Sequence, residues 1–236
     1  MNYKVYYSPD NYKEKNNIAL EDSSIHRDYT YSDCPVWKHR FNRTFIGHSP
    51  CNFVMKIDEN QLRYQINNEE PVELNIEDFN ETDEYDDGTI FFSVDDLLNE
   101  FPVVQLKFPC SYFWTDFEND YMWFEFLDHP LTAANNNFVA IGGWFNIANH
   151  PRTTSLALKM QSPEDELYIE EGDPLYRVRF YTGDMNDKIT LIKKEFVEKN
   201  LDAMDERRKI LVEDPKFLNQ ILFDKNARNQ CPYHNS

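Results

Sequence analysis

From Thr44 onward the sequence divides into short apolar or alternating runs separated by turn-forming residues, and this pattern restricts the fold more than any other. The runs are Thr44 to Ile46, Asn52 to Ile57, Gln61 to Ile66, Val103 to Phe108, Ser111 to Trp114, Tyr121 to Leu127, Asn137 to Ala148, Thr154 to Lys159, Leu167 to Ile169 and Leu175 to Tyr181. Between them stand Asp58-Glu59-Asn60, Glu118-Asn119-Asp120, Asn135-Asn136 and Gly172-Asp173-Pro174, residues that favour turns through backbone freedom or local side-chain hydrogen bonds. Many short strands with no long helices between them point to a mainly β fold, an antiparallel two-sheet β-sandwich or jelly-roll-like body. Hydrophobic residues at 41% and aromatics at 15% supply enough large side chains for a core and exclude wholesale disorder.

Before Thr44 the chain is polar and tyrosine-rich, and Lys4 to Tyr7 is the one strand expected there. Phe113 to Phe126 reads as two aromatic-rich strands around a polar turn near Glu118 to Asp120. A period of two puts Met122, Phe124 and Phe126 on one face and Tyr121, Trp123 and Glu125 on the other. After Gly183 the period lengthens. Ile189, Ile192, Phe196, Leu201 and Met204 recur at spacings of three to five, which predicts an amphipathic helix. Asp214-Pro215 supplies a cap and a first-turn proline for a second helix through Phe217, Leu218, Ile221 and Leu222. The expected organisation is a β-sandwich body over residues 1–185 and a C-terminal helical hairpin over residues 186–236 packed on it, or docking on a partner or sister subunit.

Charge separates along the same line. The whole chain carries 24 basic and 42 acidic residues, a formal net charge of -18. Ten basic and nine acidic residues lie after residue 185, so the body alone carries about -19. The densest run, Glu73 to Glu100, has no Lys or Arg and reads as an exposed excursion, with Asp83, Glu84, Asp86 and Asp87 as its partner-facing residues. Such a surface repels phosphate backbones and suits a protein partner with a basic surface. No stretch approaches the roughly 20 apolar residues of a membrane span, and the first residues lack a secretory pattern.

Candidate chemistry is sparse. Four cysteines are too few for a disulfide framework. His48-Ser-Pro-Cys51 and Cys231-Pro-Tyr-His234 each carry two ligand types at a spacing that reaches one tetrahedral ion, so His48, Cys51, Cys231 and His234 are a candidate zinc set, with Cys34 and His39 a looser pair. The alternative for these cysteines is burial as small apolar residues. His26-Arg-Asp28 has the two-ligand spacing of non-haem iron oxygenases, with His150 as the nominal third ligand. Trp114, Trp123 and Trp144 are candidates for a ligand platform, sugar-stacking if their rings are exposed. Adjacent carboxylates such as Glu170-Glu171 point to opposite faces of a strand and read as solvated surface. Gly142-Gly143, the only glycine doublet, marks a bulge or a close backbone approach beside Trp144.

Cys34-Pro-Val-Trp37, Ser49-Pro-Cys-Asn-Phe53, Phe138 to Asn146 and above all Ile169-Glu-Glu-Gly-Asp-Pro-Leu-Tyr-Arg-Val-Arg-Phe-Tyr181 together resemble a family of β-rich proteins of unknown function from tailed phages of marine bacteria and from some bacteria. The resemblance spans about Tyr31 to Tyr181 and implies a phage-like origin and a β-sandwich, with no activity to carry over. The Gly-Asp-Pro-Leu turn is also similar to the late strand of dUTPase-type trimers, but that family's Arg-Ser-Ser turn and uridine hairpin have no counterpart here. The expected function is that of a non-enzymatic interaction or structural protein acting in the host cytoplasm or the virion, with self-association as a further option. The alternatives are a metal-dependent iron or zinc enzyme on a jelly-roll scaffold and a carbohydrate-binding module.

Overall fold

The computed structural model describes residues 2–9, 20–22, 42–58, 61–108, 111–115, 122–147, 154–162, 166–184 and 186–194. The first strands are β1 (Asn2–Pro9), β2 (Leu20–Asp22), β3 (Thr44–His48), β4 (Phe53–Asp58), β5 (Gln61–Ile66) and β6 (Val72–Asn75). A single 3-10 turn, Ile76–Asp78, leads to β7 (Glu84–Asp86), β8 (Ile90–Ser93) and a one-turn helix α1 (Val94–Leu97). Then come β9 (Val103–Leu106), β10 (Ser111–Thr115), β11 (Trp123–Asp128), α2 (Pro130–Asn135), β12 (Phe138–Ala140) and β13 (Trp144–Asn146). The last are β14 (Leu156–Met160), β15 (Glu166–Ile169), β16 (Pro174–Tyr181) and β17 (Lys188–Lys193). The fold is mainly β. No helix among the described residues is long and apolar enough to cross a membrane.

The strands form four sheets, in the orders β10-β1-β17, β13-β11-β16-β3-β2, β12-β14-β9-β8-β7 and β15-β4-β5-β6, rather than the two expected. All pairings are antiparallel except β1 with β17. The sheets multiply because one antiparallel ribbon changes sheet. β3 pairs with β16 in one sheet, and directly after it β4 pairs with β15 in another. The corner between them is sewn by Ser49 N–H to Asp173 O and Gly172 N–H to Ser49 O, both 2.8 Å, and by Glu171 N–H to Asn52 Oδ1 at 2.8 Å. Gly172 has φ of +92°, the left-handed turn position expected for it. Strands that bend from one sheet to the next in this way make the corners of layered β folds.

Alternation sorts the side chains. Phe53, Met55 and Ile57 of β4, Leu62 and Tyr64 of β5, Leu156, Leu158 and Met160 of β14, and Tyr176, Val178 and Phe180 of β16 all point inward and join one core reaching into every sheet. Rings bridge the sheets. Phe113 of β10 lies 5.3 Å from Phe124 and 5.6 Å from Phe180, and Phe53 of β4 lies 5.0 Å from Phe108 beyond β9. Fully burying a ring of this size stabilises by roughly 1.5–3 kcal/mol. Tyr176 is enclosed against Gly47, its partner across the ladder, where a Cβ would fall inside the tyrosine ring. Gly142 likewise meets the Phe126 carbonyl, the close backbone approach anticipated beside Trp144.

Three further expectations change. β10 pairs with β1 instead of forming a hairpin with β11, because the tyrosines of β1 give it an aromatic partner, Trp114 stacking on Tyr6 at 5.8 Å. The segment carrying Ile189 and Ile192 is strand β17, so the sheet pairing runs past residue 185; the remainder of the predicted helical hairpin lies outside the described residues. The acidic run is woven into the body, with Ile76, Ile90, Phe92, Val94 and Leu97 buried. Its carboxylates build turns: Asp83 Oδ2 accepts from Asn80 N–H at 2.9 Å, and Asp86 Oδ1 from Gly88 N–H at 2.9 Å while Oδ2 pairs with Lys107. Asp87 Oδ1 accepts from Thr89 and Ile90 N–H at 2.8 and 3.0 Å, and its Oδ2 takes the hydroxyl proton of buried Tyr64, fastening the β7–β8 turn to β5. Of the four residues expected to face a partner, Glu84 alone stands exposed with no such bond among the described residues.

Two substitutions check this packing in urea unfolding. Gly47→Ala overfills the space of Tyr176 and lowers stability by about 1–3 kcal/mol. Asp87→Asn strips the charge from a three-bond acceptor beside a buried hydroxyl and costs roughly 1–3 kcal/mol. Wild-type stability in either variant would contradict the packing described.

Candidate functional site

The sheet-changing corner frames an open depression of about 640 Å³ between α2, β15 and the β15–β16 turn, bordered by Leu131, Asn135, Glu166, Tyr168, Glu170 and Asp173. Each wall has a local cause. β15 reads Glu-Leu-Tyr-Ile, so Leu167 and Ile169 enter the core while Glu166 and Tyr168 face solvent, with Glu170 following in the same alternation. Pro130 opens α2 at the first-turn position, where its missing N–H costs nothing, and Leu131 is left 67% exposed.

The depression is held by buried polar groups rather than by more strands. Asn136 donates its amide to Thr132 O at 3.1 Å and accepts the Tyr168 backbone N–H at 2.6 Å. β15 is the end strand of its sheet, and Asn136 satisfies an outward-pointing donor that an added strand would otherwise take. Thr132 Oγ1 donates to Pro174 O at 2.6 Å, tying α2 to β16. In the turn, Glu170 N–H donates to Asp173 Oδ2 at 2.9 Å and Asp173 N–H to Glu170 O at 3.0 Å. His48 Nδ1 bonds Gly172 O at 2.8 Å from behind.

Tyr168 is 52% exposed, and its hydroxyl donates to Glu170 Oε1 at 3.2 Å, which holds the phenol above the ordinary tyrosine value. The exposed ring thus lies between two carboxylates on one strand face, with Asp173 at the end of the row. Lys56 stands opposite Glu166 in the ladder, so the cation nearest in register lies at the Glu166 end, with Glu170 and Asp173 at the other. An aromatic face flanked by carboxylates attracts a cation through the ring quadrupole and through direct pairing together.

A second polar group lies on the outer face of the β11–β16 pair. Glu125 sits opposite Arg179 on one side and Trp144 on the other. Arg179 Nη1 reaches Glu125 Oε1 at 3.1 Å and the Tyr181 hydroxyl at 3.0 Å, and the Tyr181 hydroxyl donates to the same carboxylate oxygen. The two charged side chains are 14% and 13% exposed. Burial, then the hydrogen bond to Glu125, pushes the Tyr181 phenol up to about 12. Trp144, on the end strand β13, is 42% exposed and lies 4.4 Å from Tyr181, centroid to centroid, at 31°.

The residues singled out from sequence fare differently. His48 is half-buried at the corner, while Cys51 lies in the core with its thiol pushed up to about 11 by burial. Cys231 and His234, and likewise His26, Asp28, Cys34, His39 and His150, lie outside the described residues. No group of three or more His, Cys, Asp or Glu placed to hold a metal occurs among the described residues. Trp114 packs on Tyr6, Trp123 is half-buried, and Trp144 is the one of the three with a large exposed area. Leu131, Tyr168 and Asp173 went unnoticed in the sequence as site residues. The signal for Tyr168 was the alternation Glu166-Leu-Tyr-Ile-Glu170; Leu131 and Asp173 had none of that kind. No protein-family model and no curated protein matches this chain.

Alongside Tyr64, whose phenol is pushed up by burial and then by its bond to Asp87, the alkaline limit of the fold depends on Cys51 and Tyr181. Both hold their protons more tightly when folded than when unfolded, so their contribution is complete below the unfolded values and is lost as pH rises through about 11 and about 12. Stability measured by denaturant titration should fall between pH 9 and 12 by this route, and Tyr181→Phe should flatten the upper part of that fall. An unchanged slope in the variant would remove Tyr181 from the account.

Proposed function

We propose that this chain is a non-enzymatic interaction protein that captures a basic segment of a partner protein, with the α2–β15 depression as its point of contact. The observation that carries the reading is the Glu166–Tyr168–Glu170 row ending at Asp173, an exposed ring set among carboxylates that no described cation fully offsets. Leu131 adds an apolar contact beside it, suited to the methylene stem of a lysine or arginine. The net charge of the body, about -19, brings a basic partner in and sets its orientation before contact.

Binding suits this surface better than catalysis. Glu166 and Glu170 are four residues apart on a strand, about 13 Å of backbone, wider than the spacing at which two carboxylates share one reacting bond. The two hydroxyls in the lining, Thr132 and Tyr168, donate to Pro174 O and to Glu170 Oε1. The resemblance to the phage family supports a setting in a host cytoplasm or a virion for this activity, and the largely antiparallel sheets support a jelly-roll-like sandwich.

The test uses the full chain and a lysine- and arginine-rich peptide containing leucine, with affinity followed against NaCl. Binding should weaken steadily with salt. Tyr168→Ala should cost roughly 2- to 30-fold, the ~0.5–2 kcal/mol of a cation–π contact. Glu170→Gln with Asp173→Asn should reduce the salt slope. Salt-independent binding, or full binding by the double variant, would refute this placement.

A further inference from the structure

We infer that the exposed ring of Trp144, with Glu125 beside it, is a stacking platform for a neutral saccharide. The site is distinct from the acidic depression and stands without it.

One side of the indole rests on Tyr181 at 4.4 Å and 31°, which fixes the ring plane, while 42% of the residue remains exposed. A pre-oriented aromatic face at a sheet edge binds an apolar surface with little ordering cost. Glu125 is the cross-strand partner of Trp144, so its carboxylate lies on the same face of the sheet, about 5 Å away between Cβ atoms. Both described donors to Glu125, Arg179 Nη1 and the Tyr181 hydroxyl, fall on Oε1, and Oε2 takes neither.

Charge decides what kind of ligand fits. Arg179 compensates Glu125 at 3.1 Å, so the group beside the indole carries no net charge and offers a cation no carboxylate of its own. Nε and Nη1 of the guanidinium are committed to Thr44, Glu125 and Tyr181 and Nη2 is enclosed, which leaves an anion no open fork to bind, and the acidic body repels anionic polymers besides. What remains is a ligand with an apolar face and hydroxyl donors at its rim. A hexopyranose has both: its axial C–H face covers the indole and an equatorial hydroxyl donates to Glu125 Oε2.

Packing alone does not require these residue types. Apolar side chains at positions 125 and 179 would hold β11 to β16 as well as a nearly buried ion pair, and Arg179 Nη2 is enclosed without an acceptor among the described residues. Gly142, which fits against the Phe126 carbonyl, and the neighbouring Gly143 carry no side-chain bulk next to the indole.

The experiment is native affinity electrophoresis of the full chain in gels containing neutral polysaccharides: a β-glucan, a mannan, a galactan and a starch. At least one should retard the protein, the corresponding free oligosaccharide should compete, and 0.5 M NaCl should leave the retardation unchanged. Trp144→Ala should weaken binding by at least about tenfold, the loss expected of a single stacking ring. Trp144→Phe, which keeps a ring on Tyr181, should stay within about threefold of wild type and controls for folding. Absence of retardation in all four gels, retardation that survives Trp144→Ala, or binding abolished by salt would each overturn the inference. So would Trp144-dependent binding of a proline-rich peptide in place of every glycan.

Discussion

One corner governs this architecture. The β3–β16 ladder belongs to one sheet and the β4–β15 ladder to another, yet they are a single ribbon bent at Ser49–Asn52 against Glu170–Asp173. The bend demands a residue at φ of +92°, backbone bonds that cross from one strand to the other, and a proline to resume the extended path. Once it is made, Leu167 and Ile169 enter the core from one sheet and Tyr176, Val178 and Phe180 from the next. The depression is the outside of the same bend. Its carboxylates project because their alternate neighbours are committed inward.

The acidity of the chain divides by what each carboxylate faces. Asp83, Asp86 and Asp87 are spent on turns and on Tyr64, and Glu125 is compensated by Arg179. Glu170 and Asp173 border open space and share it with an exposed ring. A count of charges along the sequence weighs these groups equally. Long-range attraction uses all of them, whereas local recognition depends on the few whose charge is not already answered within the fold.

Most strands were legible because period two is a local property. Gln61 to Ile66 and Leu175 to Tyr181 needed only their own side chains to be read, and Gly172 and Gly142 declared a turn and a close approach by their identity. What escaped was decided by partners distant in sequence. β6 and β7 hide their alternation under charge: Val72 and Leu74 flank Glu73, and the acids around β7 obscured a strand of three residues. Ile189 and Ile192 fit a helical spacing, and β1 supplies the partner strand that makes β17 extended. β10 and β11 read as one hairpin and pair elsewhere. The site was half legible. Trp144 was nominated as a platform residue, but Tyr168 passed as strand and Glu170 as surface, since only the third dimension sets them beside Leu131 and Asp173.

The parallel pairing of β1 with β17 joins Asn2 to Lys188 and Tyr7 to Lys193. On a ribosome, β1 emerges before the other described strands, and that flank of it waits for all of them before its partner exists. Closing so long a loop adds little to the equilibrium cost, because loop entropy grows only with the logarithm of length. It weighs on the route instead, since non-local pairing is slow and an unfilled strand edge is open to the wrong neighbour in the interval. Among the described sheets the three-stranded one is therefore the last to be completed during synthesis, since it alone needs β17.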